Sequence, residues 1–368
     1  MSDGAILQIV PQLPGTLDGV SDYALNLARA LSARHGLTTV FAVNRETSVE
    51  VKDGFRVVSG LGQGGPADAL AQQCPHVILH YVNYGYQTRG VPFALLRFAR
   101  ELRGQLRGRW VTMFHEIYAW GPPWKSEFWL RPFQVRIARA LIDLSDVCFV
   151  SNAVVEKEIH LHDAAKQVQL APVMSNFGEP EVTDFSGASA RRWAICGGTA
   201  SITRSLSSFE RMHRLIPEPF FPNHLDVIGG RETASTRALI ERLAAGTPGL
   251  SCYYHPNVAV PEASALLRQC SFTWLDYFGK GKMWPGMVLK SGVFAACGAH
   301  GVVPVFSHQE EVFAVGGDPF PGPWFMTPQA LHLPDPNRLH DVRKKIYSWY
   351  WTHAASPCLA RFYAEALA

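Results

Sequence analysis

The feature that most constrains this chain is a pattern that runs through it twice: short apolar runs of strand length alternating with longer stretches whose apolar residues recur at helical spacing. Such alternation is the signature of βαβ units on a parallel sheet. In the first half the strands are expected near Ala5–Val10, Thr38–Val43, Phe55–Ser59, His76–Tyr81, Trp110–His115 and Asp146–Ser151. After a Pro/Gly/Ser/Ala-rich stretch at 180–190 the pattern restarts, with strands expected near Trp193–Cys196, His224–Ile228, Leu250–Tyr254, Ser271–Leu275 and Val302–Phe306.

A length of 368 residues points the same way, because chains beyond about 250–300 residues split into separate cores. The expected organisation is an α/β chain of two Rossmann-like, doubly wound domains facing each other across a cleft. They span 1–180 and 191–338, and an aromatic-rich helical tail, 339–368, packs back toward the N-terminal domain. Open α/β sheets bind ligands beyond the carboxyl ends of their strands, so functional residues are sought there.

Hydrophobic residues at 47% and charged residues at 18% describe a chain able to bury large cores. A net charge of +3 is too small to indicate a nucleic-acid partner. The seven cysteines form no CxxC pair and read as reduced thiols. The opening MSDGAILQIVPQLPG shows no basic leader, and no later apolar run reaches the ~18 residues of a membrane span. The expected location is the cytoplasm.

Four segments carry chemistry. The loop Pro11–Asp22 joins a strand to a helix and contains Gly15 and Gly19. Helix-start N–H groups hold anions and glycine permits close approach, although a plain βα turn has the same composition. GxGxxG is absent, which argues against a nicotinamide or flavin enzyme. The run Val111–Glu116 delivers His115 and Glu116 at a strand end, where an imidazole can bond a sugar hydroxyl or phosphate; a satisfied structural histidine fits the pattern too.

The third segment, Ile195–Ser205, opens a helix with Gly197, Gly198 and Thr199 and carries Arg204, whose planar fork suits a diphosphate. The fourth, Asp276–Gly292, is Gly-rich with Lys280, Lys282 and Lys290 ahead of a helix start at Ser291 and Gly292, a composition that neutralises leaving-group charge. Solvated surface is the alternative for both. Glu156 and His160 share a helix face but make a weak metal set, and no DxD triplet occurs.

The order of these features resembles family-four glycosyltransferases, which have the GT-B fold and mostly retain configuration. The match is carried by the Gly-Val loop before Ser21–Leu25, the strand ending at His115, the Gly197/Arg204 turn, Asp226-Val-Ile-Gly229-Gly230, and Ala299–Val305. The resemblance implies a hexosyltransferase using a nucleotide diphosphate sugar, with no cofactor and no metal. It implies that Gly19 lies by the donor phosphate, His115 contacts the transferred sugar and Arg204 grips the diphosphate; where the family has a second arginine this chain has Gly198-Thr199, so Lys280 or Lys282 is expected to substitute, with Lys282 assigned to the catalytic set. Gly198, Thr199, Gly229, His255, Lys280, Lys290, Ser291 and Gly292 are the expected donor-binding residues. The sequence departs from the family at its paired glutamates, for which Met283–Ser291 offers no acid. A nucleotide-sugar epimerase of the same fold and a degenerate, non-catalytic scaffold are therefore the rival readings.

On the acceptor side the expected partner is a glycan or lipid-linked acceptor and no nucleic acid. Asp18, Glu116, Tyr118, Trp120 and Trp124 are assigned to it, because aromatic faces around the Pro122–Pro123 turn suit sugar rings. The helix within 92–109 has Leu95, Phe98, Ala99, Leu102 and Leu106 on one side and Arg97, Arg100, Arg103 and Arg107 on the other. That basic face allows weak contact with the inner face of an anionic membrane; a core helix with a solvated arginine face has the same pattern.

Overall fold

A computed structural model describes residues 5–12, 19–44, 54–59, 61, 67–185, 187–277 and 284–368. The chain divides into two compact units, Met1–Pro172 with Ser356–Ala368, and Val173–Ala355.

The first unit is built on a parallel sheet ordered β3-β2-β1-β4-β5-β6-β7. Its strands are β1 (Ile6–Val10), β2 (Thr39–Val43), β3 (Arg56–Ser59), β4 (His76–Tyr81), β5 (Trp110–Phe114), β6 (Val147–Val150) and β7 (Val168–Leu170). The helices are α1 (Gly19–His35), α2 (Ala67–Gln73), α3 (Asn83–Tyr86), α4 (Phe93–Gln105), α5 (Ser126–Leu144) and α6 (Ala153–His162). Strands β1, β2, β5 and β6 are buried along their whole length, as expected of a parallel sheet covered on both faces. Helix α1 starts at Gly19, and Ser21 Oγ in its first turn donates to Gln12 O at 2.9 Å.

The second unit repeats the plan, ordered β10-β9-β8-β11-β12-β15-β16 with β16 antiparallel. Its strands are β8 (Ser189–Cys196), β9 (His224–Ile228), β10 (Ser251–His255), β11 (Cys270–Leu275), β12 (Val303–Phe306), β15 (Trp324–Met326) and β16 (Leu331–His332), with β13 (Ala314–Val315) and β14 (Asp318–Pro319) forming a separate hairpin. Helices α7 (Thr199–Met212), α8 (Ala234–Gly246), α9 (Val260–Arg268), α10 (Gly292–His300) and α11 (Leu339–His353) surround them. Trp193 stacks on Phe272 at 4.7 Å, and its indole N–H, like that of Trp274, finds an acceptor at 2.9 Å. These large rings are thus buried without an orphaned donor.

Helix α10 is buried on every side. Gly298 lies against Tyr350 of α11, where a Cβ would approach the ring to 2.8 Å. Gly301 ends the helix at φ +59° with a would-be Cβ 2.3 Å from Phe185. Arg343 of α11, 2% exposed, donates to Gly301 O, Phe185 O and Cys270 O. Burial pushes its guanidinium down to about 10, and three carbonyls satisfy the fork in place of a carboxylate.

The expected domain limits shift for this reason. The stretch expected as a linker is held inside the second unit: Arg343 takes Phe185 O, and Tyr347 Oη donates to Pro180 O and accepts from Val182 N–H. The division falls at Pro172/Val173, and 339–353 stays with the second unit. Only α12 (Ser356–Leu367) belongs to the first unit, where Tyr363 stacks on Phe149 at 4.1 Å and meets Tyr23 Oη of α1 at 3.2 Å.

Candidate functional site

In the first unit the sites gather at the carboxyl end of β5. His115 follows the last strand residue, is half-buried, and lies edge-on to Tyr23 of α1 at 5.0 Å. Behind it a hydrogen-bonded chain crosses the sheet. Gln8 Nε2 donates to Thr39 Oγ1 at 3.3 Å, which turns Gln8 Oε1 toward His80 Nε2 at 2.9 Å. His80 Nδ1 then faces His115 Nε2 at 3.3 Å.

Burial first, and the neighbouring His115 second, hold the His80 imidazole well below its ordinary range. A neutral His80 that donates from Nε2 must accept at Nδ1, so His115 carries its proton on Nε2. The sequence pattern points to His115 and not to His80, whose signal is a histidine one residue short of the end of a strand with the apolar run Val77–Leu79 before it.

Gly19 is the exposed first residue of α1, and a Cβ there would meet no atom of the described residues within 4 Å. Glu116 is exposed. Tyr118 Oη bonds the Glu158 carboxylate, and burial together with Glu158 pushes its phenol up to about 12. Trp120 and Trp124 are 64% and 84% exposed. Asp18 lies outside the described residues. On α4, Leu95, Phe98, Ala99 and Leu102 are buried while Arg97 and Arg100 are exposed; the helix ends at Gln105, so half-buried Leu106 and exposed Arg107, expected on its two faces, lie beyond it. Arg103 departs from the expected solvated row, because it pairs with Asp146 at 2.9 Å and donates to Gly108 O.

In the second unit the candidate residues lie around the carboxyl ends of β8, β9 and β11. Gly197 adopts φ +131°, and Gly198 caps α7 without a side-chain hydrogen bond. The first-turn N–H groups of α7 are therefore open to an anion, with a helix dipole of about +0.5 charge behind them. Helices α8 and α10 differ, since Thr233 and Ser291 cap them by side-chain oxygen.

Arg204, one turn into α7, donates from Nε to Asp276 O at 2.9 Å and from Nη2 to Tyr277 O at 2.6 Å. It ties α7 to the end of β11, while its Nη1 makes no hydrogen bond to a described residue. Lys280 and Lys282 lie outside the described residues. Lys290 is half-buried and ends the 3-10 turn before α10.

Five expected donor-binding residues are engaged within the protein, three by hydrogen bonds and two by close packing. Ser291 is 1% exposed and its hydroxyl accepts from Phe294 N, so it caps α10 from a buried position where the expected ligand contact is closed off. His255 Nε2 faces buried Asp226 Oδ1 at 3.0 Å. Thr199 Oγ1 accepts from Arg231 N at 2.8 Å. Gly229, at φ +97°, leaves 2.8 Å between a would-be Cβ and Gly197 O, so close loop packing accounts for it. Gly292 likewise lies against the Asn176 side chain.

No protein-family model and no curated protein matches the chain. Solved structures do. An alpha-glucosyltransferase in complex with UDP-glucose and DNA is 15% identical, with 98% of each chain covered and a TM-score of 0.56. A trehalose 6-phosphate synthase from Burkholderia multivorans is 11% identical, covering 100% of this chain and 98% of its own, TM-score 0.56. A lipopolysaccharide outer core galactosyltransferase is 11% identical, with 98% of each covered, TM-score 0.56. With two Rossmann-like units each wound on a largely parallel seven-stranded sheet, the chain has a GT-B glycosyltransferase fold.

Proposed function

We propose that this chain is a metal-independent glycosyltransferase that moves a hexose from a nucleotide diphosphate sugar to a glycan or lipid-linked acceptor with retention of configuration. The observation that carries the reading is the uncapped, glycine-opened start of α7 at the end of β8, in a chain that follows glycosyltransferase structures over nearly its full length. An exposed helix start suits a phosphate, and Arg204 one turn along adds a fixed positive charge beside it.

In this reading the first-turn N–H groups of α7, with Arg204 Nη1, Lys290 and Lys282, stabilise charge on the departing diphosphate. His115 orients the sugar with a set tautomer, and the leaving phosphate takes the acceptor proton, so no separate base is needed. Gly19 would stand near the donor phosphate, its open Cα face leaving space for a ligand. A small net charge of +3 favours a carbohydrate or lipid acceptor over a nucleic acid.

We assign the protein to the cytoplasm, at the inner membrane face. Among the described residues no helix is long and apolar enough to cross a membrane, and the exposed Arg97, Arg100 and Arg107 would each add about 1 kcal/mol near anionic headgroups.

A thermal-shift panel of UDP, GDP, ADP, CDP and dTDP sugars tests the donor class. At a concentration 100 times its Kd, a ligand binding only the folded state adds about 2.7 kcal/mol. One base class should raise the melting temperature, and no response from any of them contradicts the proposal.

A further inference from the structure

A groove lies along α5 in the first unit. Its cavity of about 570 Å³ is lined by Ile117, Phe128, Trp129, Val135, Ala138 and Leu161 among others, within the 300–1,000 Å³ range usual for small-molecule sites. Trp129, Pro132 and Val135 recur at helical spacing and run along about 10 Å of one face of α5, with the buried Ala138 and Ile142 as the floor at its far end. This is the shape and chemistry of a slot for a hydrocarbon chain.

Two further observations give that chain a charged head. Arg131 and Arg139 line the same groove, and its other polar groups are already engaged, Glu158 by the Tyr118 hydroxyl and His162 by Asp143. The Arg131 guanidinium lies over Trp120 at 3.7 Å and over Tyr118 at 5.4 Å, and its Nε is buried without a hydrogen-bond partner. A buried donor on a charged group is costly to leave unpaired, and a phosphate oxygen would satisfy it by a charge-assisted bond. Around the groove, Trp129 and Leu161 are each 69% exposed and Phe128 is 43% exposed. Tryptophan beside arginine suits the boundary between hydrocarbon and phosphate.

We propose that the α5–α6 groove binds a lipid phosphate, its phosphate held at Arg131 and Arg139 and its single hydrocarbon tail laid between the Trp129–Val135 face of α5 and Leu161 of α6. The inference rests on the transferase reading and deepens it. Ile117 and Tyr118, two and three residues beyond His115, also line the groove, so the head of a seated lipid lies next to the strand end that carries the histidine. The acceptor is then an amphiphile with an anionic head.

The test uses the full chain and dodecyl phosphate below its micellar concentration, followed by tryptophan fluorescence, with inorganic phosphate and dodecanol as controls. Saturable 1:1 binding is expected, at least 10-fold tighter than either control. Arg131→Gln and Leu161→Glu, the second an exposed position that tolerates charge, should each weaken it by about 10-fold or more while the circular dichroism spectrum is unchanged. Equal affinity for inorganic phosphate overturns the proposal, and so does wild-type affinity in both variants. UDP-sugar binding is titrated on the same sample. Nucleotide binding without dodecyl phosphate binding overturns the groove alone, whereas dodecyl phosphate binding without any nucleotide binding overturns the transferase reading and leaves the groove standing.

Discussion

Replacing His80 by leucine tests the buried relay behind His115. His80 and Gln8 are both 0% exposed, so His80→Leu strands Gln8 Oε1 without its donor and leaves His115 Nε2–H without its acceptor. An orphaned buried polar group costs about 1–3 kcal/mol. Gln8→Leu should cost a similar amount by stranding His80 Nε2–H. The double variant removes both ends of the 2.9 Å bond together, and its loss should fall short of the sum of the singles by about 1–2 kcal/mol.

Urea unfolding followed by far-UV circular dichroism at pH 8, above the ordinary imidazole range of about 6.5, measures all three variants with the histidines neutral. The relay also sets the His115 tautomer. A neutral hydrogen bond worth about 0.5–1.5 kcal/mol biases the two forms by about 2- to 13-fold, so nitrogen-15 spectra should show the Nε2–H form in the native protein and a shift toward Nδ1–H in His80→Leu. Stability losses that add within about 0.3 kcal/mol, or a native His115 protonated on Nδ1, would refute the reasoning.

Arg204→Ala should weaken nucleotide diphosphate binding by about 10- to 100-fold, the scale of a lost hydrogen bond to a charged group. Arg204→Lys should not restore it, because a point charge cannot hold Asp276 O and Tyr277 O and still face a phosphate; calorimetry with unchanged affinity removes the residue from the site. Burial holds His300 at about 4 in the folded chain, where it donates to Ala296 O and accepts from Ser264 Oγ. The unfolded chain takes up the proton first, so the His300 contribution should be full above pH ~6.5 and be lost as pH drops toward 4, about 3 kcal/mol from this residue. A His300→Gln variant with the same loss between pH 6.5 and 4 rules this residue out as the cause. Gly301→Ala places a Cβ 2.3 Å from Phe185 at φ +59° and should cost about 2–4 kcal/mol in urea unfolding; a loss below about 1 kcal/mol contradicts that packing.

The interior strands were legible in the sequence because they are short, apolar and flanked by helices of clear period. His76–Tyr81 and His224–Ile228 match the observed limits. Strand β8 begins four residues before the expected Trp193, since its first residues, Ser-Ala-Arg-Arg at 189–192, show no apolar run and are partly exposed. Strands β7, β15 and β16 have only two or three residues, too few to show a period. The boundary at Pro172 was hidden because what holds 180–185 in place lies on α11, more than 150 residues later in the chain.

Within the candidate site, motif order located His115 and the Gly197–Gly198 start of α7. It could not tell a hydroxyl available to a ligand from one that caps a helix, as at Ser291, or a free imidazole from one facing a buried carboxylate, as at His255. Those distinctions depend on neighbours brought in by the fold. The groove along α5 was equally hidden, because helical spacing marks an apolar face without showing whether another element covers it.

The central claim is sugar transfer, and proton and phosphorus NMR of the full chain with a responding donor and a lipid phosphate acceptor reads it directly. The account predicts release of the nucleoside diphosphate in step with one new glycosidic anomeric signal of the donor's own configuration. An intact donor after prolonged incubation, or a donor sugar altered in the absence of acceptor, would contradict it.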